Sequence, residues 1–229
     1  MKDVVSLDFN GTLARIEGLD WFWREEIPRL YSERSGITLE RARKEVLEEY
    51  DVIGPKSAQW YDPTFWFNKY GIVDMLPEAT KRLAARTEIF PDVRGLSLPE
   101  GAVLIICSRS WPELINTVLD SVGLHPYAIY SPSMFGFATK EKKFYSEVMK
   151  RIGNGRNIFL HVGDSIEYDF FEPRKAGWHS VLVDRQNRFP RLRSKVKELG
   201  ELDRFLNQFD VRNLDGRVPD RTFSNPNGS

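Results

Sequence analysis

The chain has 229 residues, 41% hydrophobic and 13% aromatic, which is enough to bury one good core with a small accessory module. Its 33 Lys and Arg balance 33 Asp and Glu, so overall charge gives no reason to expect nucleic acid or an anionic membrane as a partner. The single cysteine, Cys107, excludes an intrachain disulfide and a multi-cysteine metal site. No apolar stretch has signal-peptide or membrane-span length, so we expect a cytoplasmic protein without a membrane partner.

Short apolar runs with strand character recur along the chain, separated by polar breaks and helix-like segments. In chain order they are Val4 to Leu7, Ala102 to Cys107, the weaker Tyr127 to Tyr130, Asn157 to Val162 and Ser180 to Val183. This alternation predicts a Rossmann-like α/β fold, in which a parallel sheet is flanked by helices and the chemistry collects at the carboxyl ends of the strands.

The interruption between the first two strands is far longer than an ordinary crossover and must form a structure of its own. Ser32 to Tyr50 is rich in helix-forming residues, and Pro77 to Arg86 predicts a helix with Pro77 in its first turn. Aromatic side chains predict an apolar core for this helical module, and one or two of them could line a substrate cleft. The module could pack inward or pair with a neighbouring molecule, so the oligomeric state stays open. These aromatic residues are Trp21, Phe22, Trp23, Trp60, Tyr61, Phe65, Trp66 and Phe67.

We therefore predict a catalytic core made of residues 1–13 and 88–208, an all-helical domain over 14–87, and a flexible C-terminal tail over 209–229. Within the core, Ser110 and Glu113 have the spacing of a capping box that would start a helix. Thr139 is a second predicted helix cap, with Gly153 as the stop of that helix.

Acidic residues follow two of the predicted strands. Asp8 ends the first strand just before the turn Gly11-Thr12, where backbone N–H groups would lie near its carboxylate. Asp164 and Asp169 follow the strand that ends at Val162. Carboxylates from different strand ends can hold one hard divalent cation and leave positions for water and a phosphate. The pattern predicts a Mg²⁺ site at this edge of the sheet.

Together with Ser108 at the end of the second strand and Lys140 at a helix start, these acids resemble the four motifs of the haloacid dehalogenase superfamily. The motifs occur in the superfamily's order, and the resemblance covers Val4 to Val183. It implies a phosphatase in which Asp8 accepts the phosphoryl group as an aspartyl phosphate. It also implies that the first strand lies between the second and the fourth.

Residue by residue, the resemblance implies that the Ser108 hydroxyl binds the transferring group and that Lys140 neutralises it. The Mg²⁺ ligands would be Asp8, the backbone carbonyl of Asn10, Asp164 and Asp169. Further contacts to the substrate are expected from Gly11, Thr12 and Arg109, which follow the first and second motifs.

Several assignments stay open in the sequence. Lys142 and Lys143 compete with Lys140, since Glu141 stands where the superfamily usually has Pro. Arg109 could bind an anion or form a surface salt bridge. We interpret His161 as a packed strand residue and not a ligand. Asp92 and Asp184 are interpreted as turn residues.

Asn10 departs from the first motif Asp-x-Asp-Gly-Thr, because an amide replaces the second Asp, the general acid and base of the superfamily's phosphatases. An amide cannot protonate a leaving group or activate water. The enzyme could be slow or restricted to good leaving groups, it could be an Asp→Asn variant made to trap a substrate, or it could have left phosphatase chemistry.

The expected function is hydrolysis of a small phosphorylated metabolite, since the insertion has the position of the superfamily's helical cap, which closes over the site and suits a small molecule. Two alternatives remain. One is a non-catalytic or weakly active protein that binds a phosphorylated ligand, and the other is a dehalogenase-like hydrolase. A complete acidic fourth motif argues against the dehalogenase, whose branch does not require a metal.

Overall fold

A computed structural model describes residues 3–153 and 158–208. The predicted tail at 209–229 and Asn157, the predicted start of one strand, lie outside the described residues. Six strands form one sheet with the order β3-β2-β1-β4-β5-β6, and all neighbouring strands are parallel. The strands are β1 (Val4–Leu7), β2 (Val103–Cys107), β3 (Ala128–Tyr130), β4 (Phe159–Gly163), β5 (His179–Val183) and β6 (Lys195–Val196).

β1 lies between β2 and β4, as the resemblance implied. Leu7, its last residue, is in register with Ile106 of β2 and Val162 of β4. Because the strands are parallel and in register, the residues that follow them emerge at one edge of the sheet. The predicted Rossmann-like α/β class is confirmed.

Helices lie in every connection between consecutive strands except the one from β5 to β6. Five of them lie between β1 and β2, so the long interruption is helical, while its status as a separate domain stays a prediction. Gly36, with a φ of 71°, ends one helix inside the predicted helical stretch Ser32 to Tyr50, and a second helix begins at Leu39. The helices are α1 (Glu17–Trp21), α2 (Ile27–Ser35), α3 (Leu39–Ile53), α4 (Pro63–Lys69), α5 (Leu76–Arg86), α6 (Pro112–Asp120), α7 (Lys142–Ile152), α8 (Glu172–Lys175) and α9 (Leu202–Gln208).

Two predicted helix caps are wrong. α6 begins at Pro112 after Trp111, and the Ser110 hydroxyl instead accepts a hydrogen bond from the Asn10 side chain. α7 begins at Lys142, and Thr139 donates to the Glu141 carboxylate. A tertiary contact with Asn10 replaces the cap at Ser110, and the extended backbone at Glu141 places Thr139 too far before the helix to cap it. The predicted stop at Gly153 is confirmed, since this residue ends α7 with a φ of 98°.

The helices between β1 and β2 share one hydrophobic cluster with the sheet. Phe22 is fully buried, and its ring centroid lies 5.2 Å from that of Trp111, which precedes α6. Trp66 and Phe67 are also fully buried, whereas the other predicted aromatic residues of this region are half-buried. Burying each of these aromatic side chains stabilises the fold by about 1.5–3 kcal/mol. This packing therefore joins the inserted helices firmly to the core.

Over residues 3–153 and 158–208, every helix is too short or too polar to cross a lipid bilayer.

Candidate active site

Three carboxylates converge at the edge of the sheet where the strands end. Asp8 follows β1, Asp164 follows β4, and Asp169 lies in the short π-helical segment Ile166–Phe171. One oxygen from each can be chosen so that all three lie within 4.8 Å of one another. The structure thus brings together the acids predicted from the first and fourth motifs.

Lys140 lies between two of these acids. Its Nζ is 2.5 Å from Asp8 Oδ1 and 2.5 Å from Asp169 Oδ1, and it also donates to the Cys107 carbonyl at 3.3 Å. Only 3% of Lys140 is exposed. Lys142 and Lys143 are both exposed at the start of α7, so of the three candidate lysines the structure places Lys140 in the site.

Asp169 is held by donors on both of its oxygens. The backbone N–H of Ser165 donates to Oδ2 at 2.9 Å, and His161 Nε2 lies 3.0 Å from Oδ1. His161 Nδ1 lies 2.9 Å from Ser6 Oγ, so a neutral imidazole protonated on Nε2 can donate to Asp169 and accept from Ser6. His161 is packed in β4, as predicted, but the contact to Asp169 was missed. A histidine in an otherwise apolar strand was the available signal, because a buried polar group needs a partner.

The charges in this cluster depend on one another. Burial, followed by the neighbouring Asp8 and Asp169, raises the pKa of Asp164 to about 7. Burial also raises the pKa of Asp8, against the attraction of Lys140. Although burial opposes their charges, the attraction between Lys140 and Asp169 prevails, so the pKa of Asp169 is lowered and that of Lys140 is raised. Lys140 is paired with both Asp8 and Asp169, so one ammonium group faces three clustered carboxylates and the negative charge of the cluster is poorly balanced.

The donor set fits a divalent cation. Among residues 3–153 and 158–208, no group donates a hydrogen bond to the Asp164 carboxylate or to Asp8 Oδ2. Carboxylate oxygens without donors, close together and short of positive charge, are suitable ligands for Mg²⁺.

Gly11 allows the close approach of the first and fourth motifs. Its φ is 82°, and a Cβ added there would lie 2.4 Å from Asp164 Oδ2. Gly163 is similarly restricted, because a Cβ there would lie 2.4 Å from Asp169 Cγ. Glycine at both positions is therefore a steric requirement of the carboxylate cluster.

Polar side chains of the first and second motifs follow the ends of β1 and β2. Ser108 is buried directly after β2, and its Oγ accepts from the Ser110 backbone N–H at 3.4 Å. Asn10 Nδ2 donates to Ser110 Oγ at 2.7 Å, while Asn10 Oδ1 is buried without a partner among the described residues. The buried Thr12 hydroxyl also lacks a partner within the described part of the chain, and the Thr12 carbonyl accepts from Arg185 at 2.9 Å. The predicted contacts of Ser108, Gly11 and Thr12 with substrate stay predictions.

Arg109 does not form the surface salt bridge that the sequence left open. Within the described ranges it has no ion pair, and its Nη1 donates to the Tyr61 hydroxyl at 3.1 Å. The centre of the guanidinium lies 5.0 Å from the Tyr61 ring and 5.8 Å from the Tyr168 ring. Arg109 thus connects the strand end to the inserted helices.

Comparisons with known proteins find similar sequences and similar folds. No protein-family model matches the chain. It is 24% identical over 167 residues to the GMP/IMP nucleotidase YrfG of Escherichia coli (strain K12), across 71% of this chain and 74% of that protein. Its structure is similar to that of a HAD (haloacid dehalogenase) phosphatase from Thermococcus onnurineus, with a TM-score of 0.68 and 22% identity over 90% of this chain and 98% of the other.

This chain has the fold of haloacid dehalogenase superfamily hydrolases. The same fold is found in a 2-haloacid dehalogenase from Pseudomonas syringae pv. Tomato DC3000, with a TM-score of 0.57 and 17% identity over 91% of this chain and 99% of that one. Since the haloacid dehalogenase fold supports more than one reaction, the chemistry must be inferred from the site residues.

Proposed function

We propose that the protein is a Mg²⁺-dependent phosphatase that transfers the phosphoryl group of a small phosphorylated metabolite to Asp8 and then to water. The observation that carries the proposal is the position of Lys140, which is buried and 2.5 Å from both Asp8 and Asp169. A buried cation beside an aspartate nucleophile offsets the repulsion between a carboxylate and an anionic phosphate.

Asp8 is the proposed nucleophile. Lys140 fixes its Oδ1, while Oδ2 has no donor among the described residues. One carboxylate oxygen of Asp8 forms the new bond to phosphorus as the bond from phosphorus to the leaving oxygen breaks, giving an aspartyl phosphate that water then hydrolyses. The Lys140 ammonium stabilises the added negative charge, and the Ser108 hydroxyl donates to a phosphoryl oxygen.

Mg²⁺, held by the carboxylates of Asp8, Asp164 and Asp169 and by the backbone carbonyl of Asn10, would polarise the phosphoryl oxygens as a Lewis acid. The poor charge balance around Asp164, whose pKa is raised to about 7, supports a cation at this position.

Asn10 restricts the proposed reaction. Its amide donates to Ser110 and cannot give a proton to an alkoxide, so the favoured substrates are those whose leaving groups need no protonation, such as aryl or acyl phosphates. The same residue supports a second candidate, a protein that binds a phosphorylated ligand without turnover.

The inserted helices α1 to α5 are proposed to act as the cap that covers the site and contacts the part of the substrate that is not phosphate. Tyr61, which is hydrogen-bonded to Arg109, lies on the insertion where it meets the strand end. Because YrfG is named as a GMP/IMP nucleotidase, purine nucleoside monophosphates are the first metabolites to test. Their leaving groups are alkoxides, so they are tested on Asn10→Asp as well as on the chain as given.

The test is hydrolysis of p-nitrophenyl phosphate by the purified chain. We expect turnover with Mg²⁺, loss of turnover with EDTA, and loss in Asp8→Asn. Asp74→Asn is the matched control, because Asp74 is an exposed carboxylate that pairs with Arg34, and this variant should retain activity.

Other results identify the alternatives. Saturable binding of phosphorylated ligands without turnover, even after Asn10→Asp, would support the binding protein and contradict the phosphatase. Metal-independent release of halide from a 2-haloacid would support the dehalogenase.

A further inference from the structure

Arg109 is a half-buried cation at the rim of the carboxylate cluster. It follows Ser108 directly, and its neighbour Tyr168 directly precedes Asp169. Its other neighbour, Tyr61, comes from the insertion between β1 and β2. The three side chains therefore connect the end of β2 and the segment after β4 to the insertion.

Within the described part of the chain, the Arg109 guanidinium uses little of its hydrogen-bonding capacity. A guanidinium has five N–H donors, and the hydrogen bond from Nη1 to Tyr61 Oη at 3.1 Å uses one of them. No carboxylate pairs with Arg109 in residues 3–153 and 158–208, although the nearby Lys140 is fully paired. The tyrosine rings hold the guanidinium through cation–π contacts at 5.0 and 5.8 Å.

We propose that Arg109 binds a second anionic group of the substrate, a carboxylate or a phosphate on the leaving portion of the molecule. A planar guanidinium whose position is held by rings can present two parallel N–H donors to such a group. This inference rests on the proposed phosphatase function, and it narrows the substrate class to phosphate esters that carry two anionic groups.

The position of Arg109 favours the leaving portion over the transferred phosphoryl group. Lys140 and Ser108 already serve the phosphoryl group in the proposed reaction, whereas Arg109 contacts Tyr61 of the proposed cap. Substrate atoms beyond the phosphate must pass between the strand ends and this insertion, where Arg109 lies.

The experiment compares three aryl phosphates that differ at one position of the ring. Phenyl phosphate has no second charge, 4-carboxyphenyl phosphate has a carboxylate, and 4-phosphonophenyl phosphate has a non-hydrolysable phosphonate. We expect kcat/KM to favour at least one anionic probe over phenyl phosphate, and Arg109→Met to reduce that preference by about tenfold or more. The carboxylate and phosphonate probes show which anion is bound.

Two variants serve as controls. Arg109→Lys keeps the charge but loses the bidentate fork, so it should retain part of the preference. Arg34→Met removes a cation whose partner is the distant, exposed Asp74, and it should retain all of the preference. Circular dichroism checks that each variant is folded.

The inference and the proposed function fail differently. Turnover of phenyl phosphate with no preference for either anionic probe, or an equal loss for all probes in Arg109→Met, overturns the role of Arg109 and leaves the phosphatase intact. If no probe is turned over, the phosphatase proposal fails, and Kd values from calorimetry repeat the comparison. A binding preference that is lost in Arg109→Met then supports the anion site, and its absence overturns it.

Discussion

Asn10 is the residue at which this chain differs most from a complete phosphatase site. Its Nδ2 is hydrogen-bonded to Ser110 and its Oδ1 is buried without a partner among the described residues. An aspartate has almost the same shape as an asparagine. One of its oxygens could accept a hydrogen bond from the Ser110 hydroxyl while the other exchanges a proton with the substrate. An aspartate at position 10 could therefore act as the general acid and base, a role that the Asn10 amide cannot fill.

We predict that Asn10→Asp raises kcat for alkyl phosphates by ~10²–10⁴, the usual contribution of general acid and base catalysis. The gain should be smaller for p-nitrophenyl phosphate, whose leaving group needs little protonation. Steady-state kinetics on both substrates measures this difference, with Asn10→Ala as the control that should show no gain. An equal gain on both substrates would contradict a role in protonating the leaving group.

At the scale of single residues, the sequence predicted the charged cluster but not its internal contacts. Asp8, Asp164 and Asp169 could be expected at one edge because they follow strands of a parallel sheet. The choice of Lys140 over Lys142 depends on which side chain the fold buries, and the His161 contact to Asp169 depends on how the chain turns after β4. Neither is encoded in a local pattern.

Among the structural elements, the loop after β5 is organised around Asp184. This carboxylate accepts the backbone N–H groups of Arg188 and Phe189 at 2.7 and 2.9 Å, and Lys195 Nζ at 2.9 Å. Burial opposes its charge, but these donors lower the pKa of Asp184 below its ordinary value. Asp184 is thus more than a turn residue, since it ties β5 to β6 through Lys195.

We predict that Asp184→Asn lowers the free energy of unfolding by about 1–3 kcal/mol at neutral pH, since buried donors lose a charged acceptor. Because the folded-state pKa is lowered, the stabilisation by Asp184 is complete above the unfolded-state pKa of about 3.9 and is lost as the pH falls through the folded-state value. Urea unfolding of both proteins at several pH values measures this. A difference that stays constant down to acidic pH would contradict it.

The longer strands were predictable to within a residue or two because buried parallel strands are continuous apolar runs. β6, at Lys195–Val196, was missed because two residues form no recognisable pattern. The caps at Ser110 and Thr139 were wrong for a different reason, since the Ser110 hydroxyl binds Asn10 and the chain around Lys140 stays extended up to Glu141. At both positions the tertiary structure around the site overrides the local preference for a helix cap.

At the scale of the whole molecule, the inserted helices and the sheet are packed as one body. A single hydrophobic cluster contains residues of β1, β2 and β4 together with Phe22, Trp66 and Leu83 of the insertion. The sequence predicted that aromatic residues would form a core for the insertion, but not that this core would continue into the sheet, because the partners of Phe22 are far away in the chain.

We predict that the insertion and the sheet unfold in one transition. Four of the six Trp residues lie in the insertion, so Trp fluorescence reports mainly on it, whereas far-UV circular dichroism reports on all elements. The two thermal curves should coincide, and Phe22→Ala should shift both to lower temperature, with a loss of about 3–5 kcal/mol. A fluorescence change that precedes the loss of secondary structure would show that the insertion unfolds independently.

The contact between Phe22 and Trp111 has a consequence for how a substrate reaches Asp8. For the inserted helices to swing open as a rigid body, water would have to enter their contact with the sheet. Tilted and edge-on aromatic rings fill that contact, so exposing them to water is costly. In the proposed phosphatase, entry would then need a smaller movement. The turn Ala58–Tyr61 is the candidate for it, because Tyr61 contacts Arg109 at the end of β2. In such a protein the moving part would be a few residues wide, and the hydrogen bond from Arg109 to Tyr61 would limit its displacement.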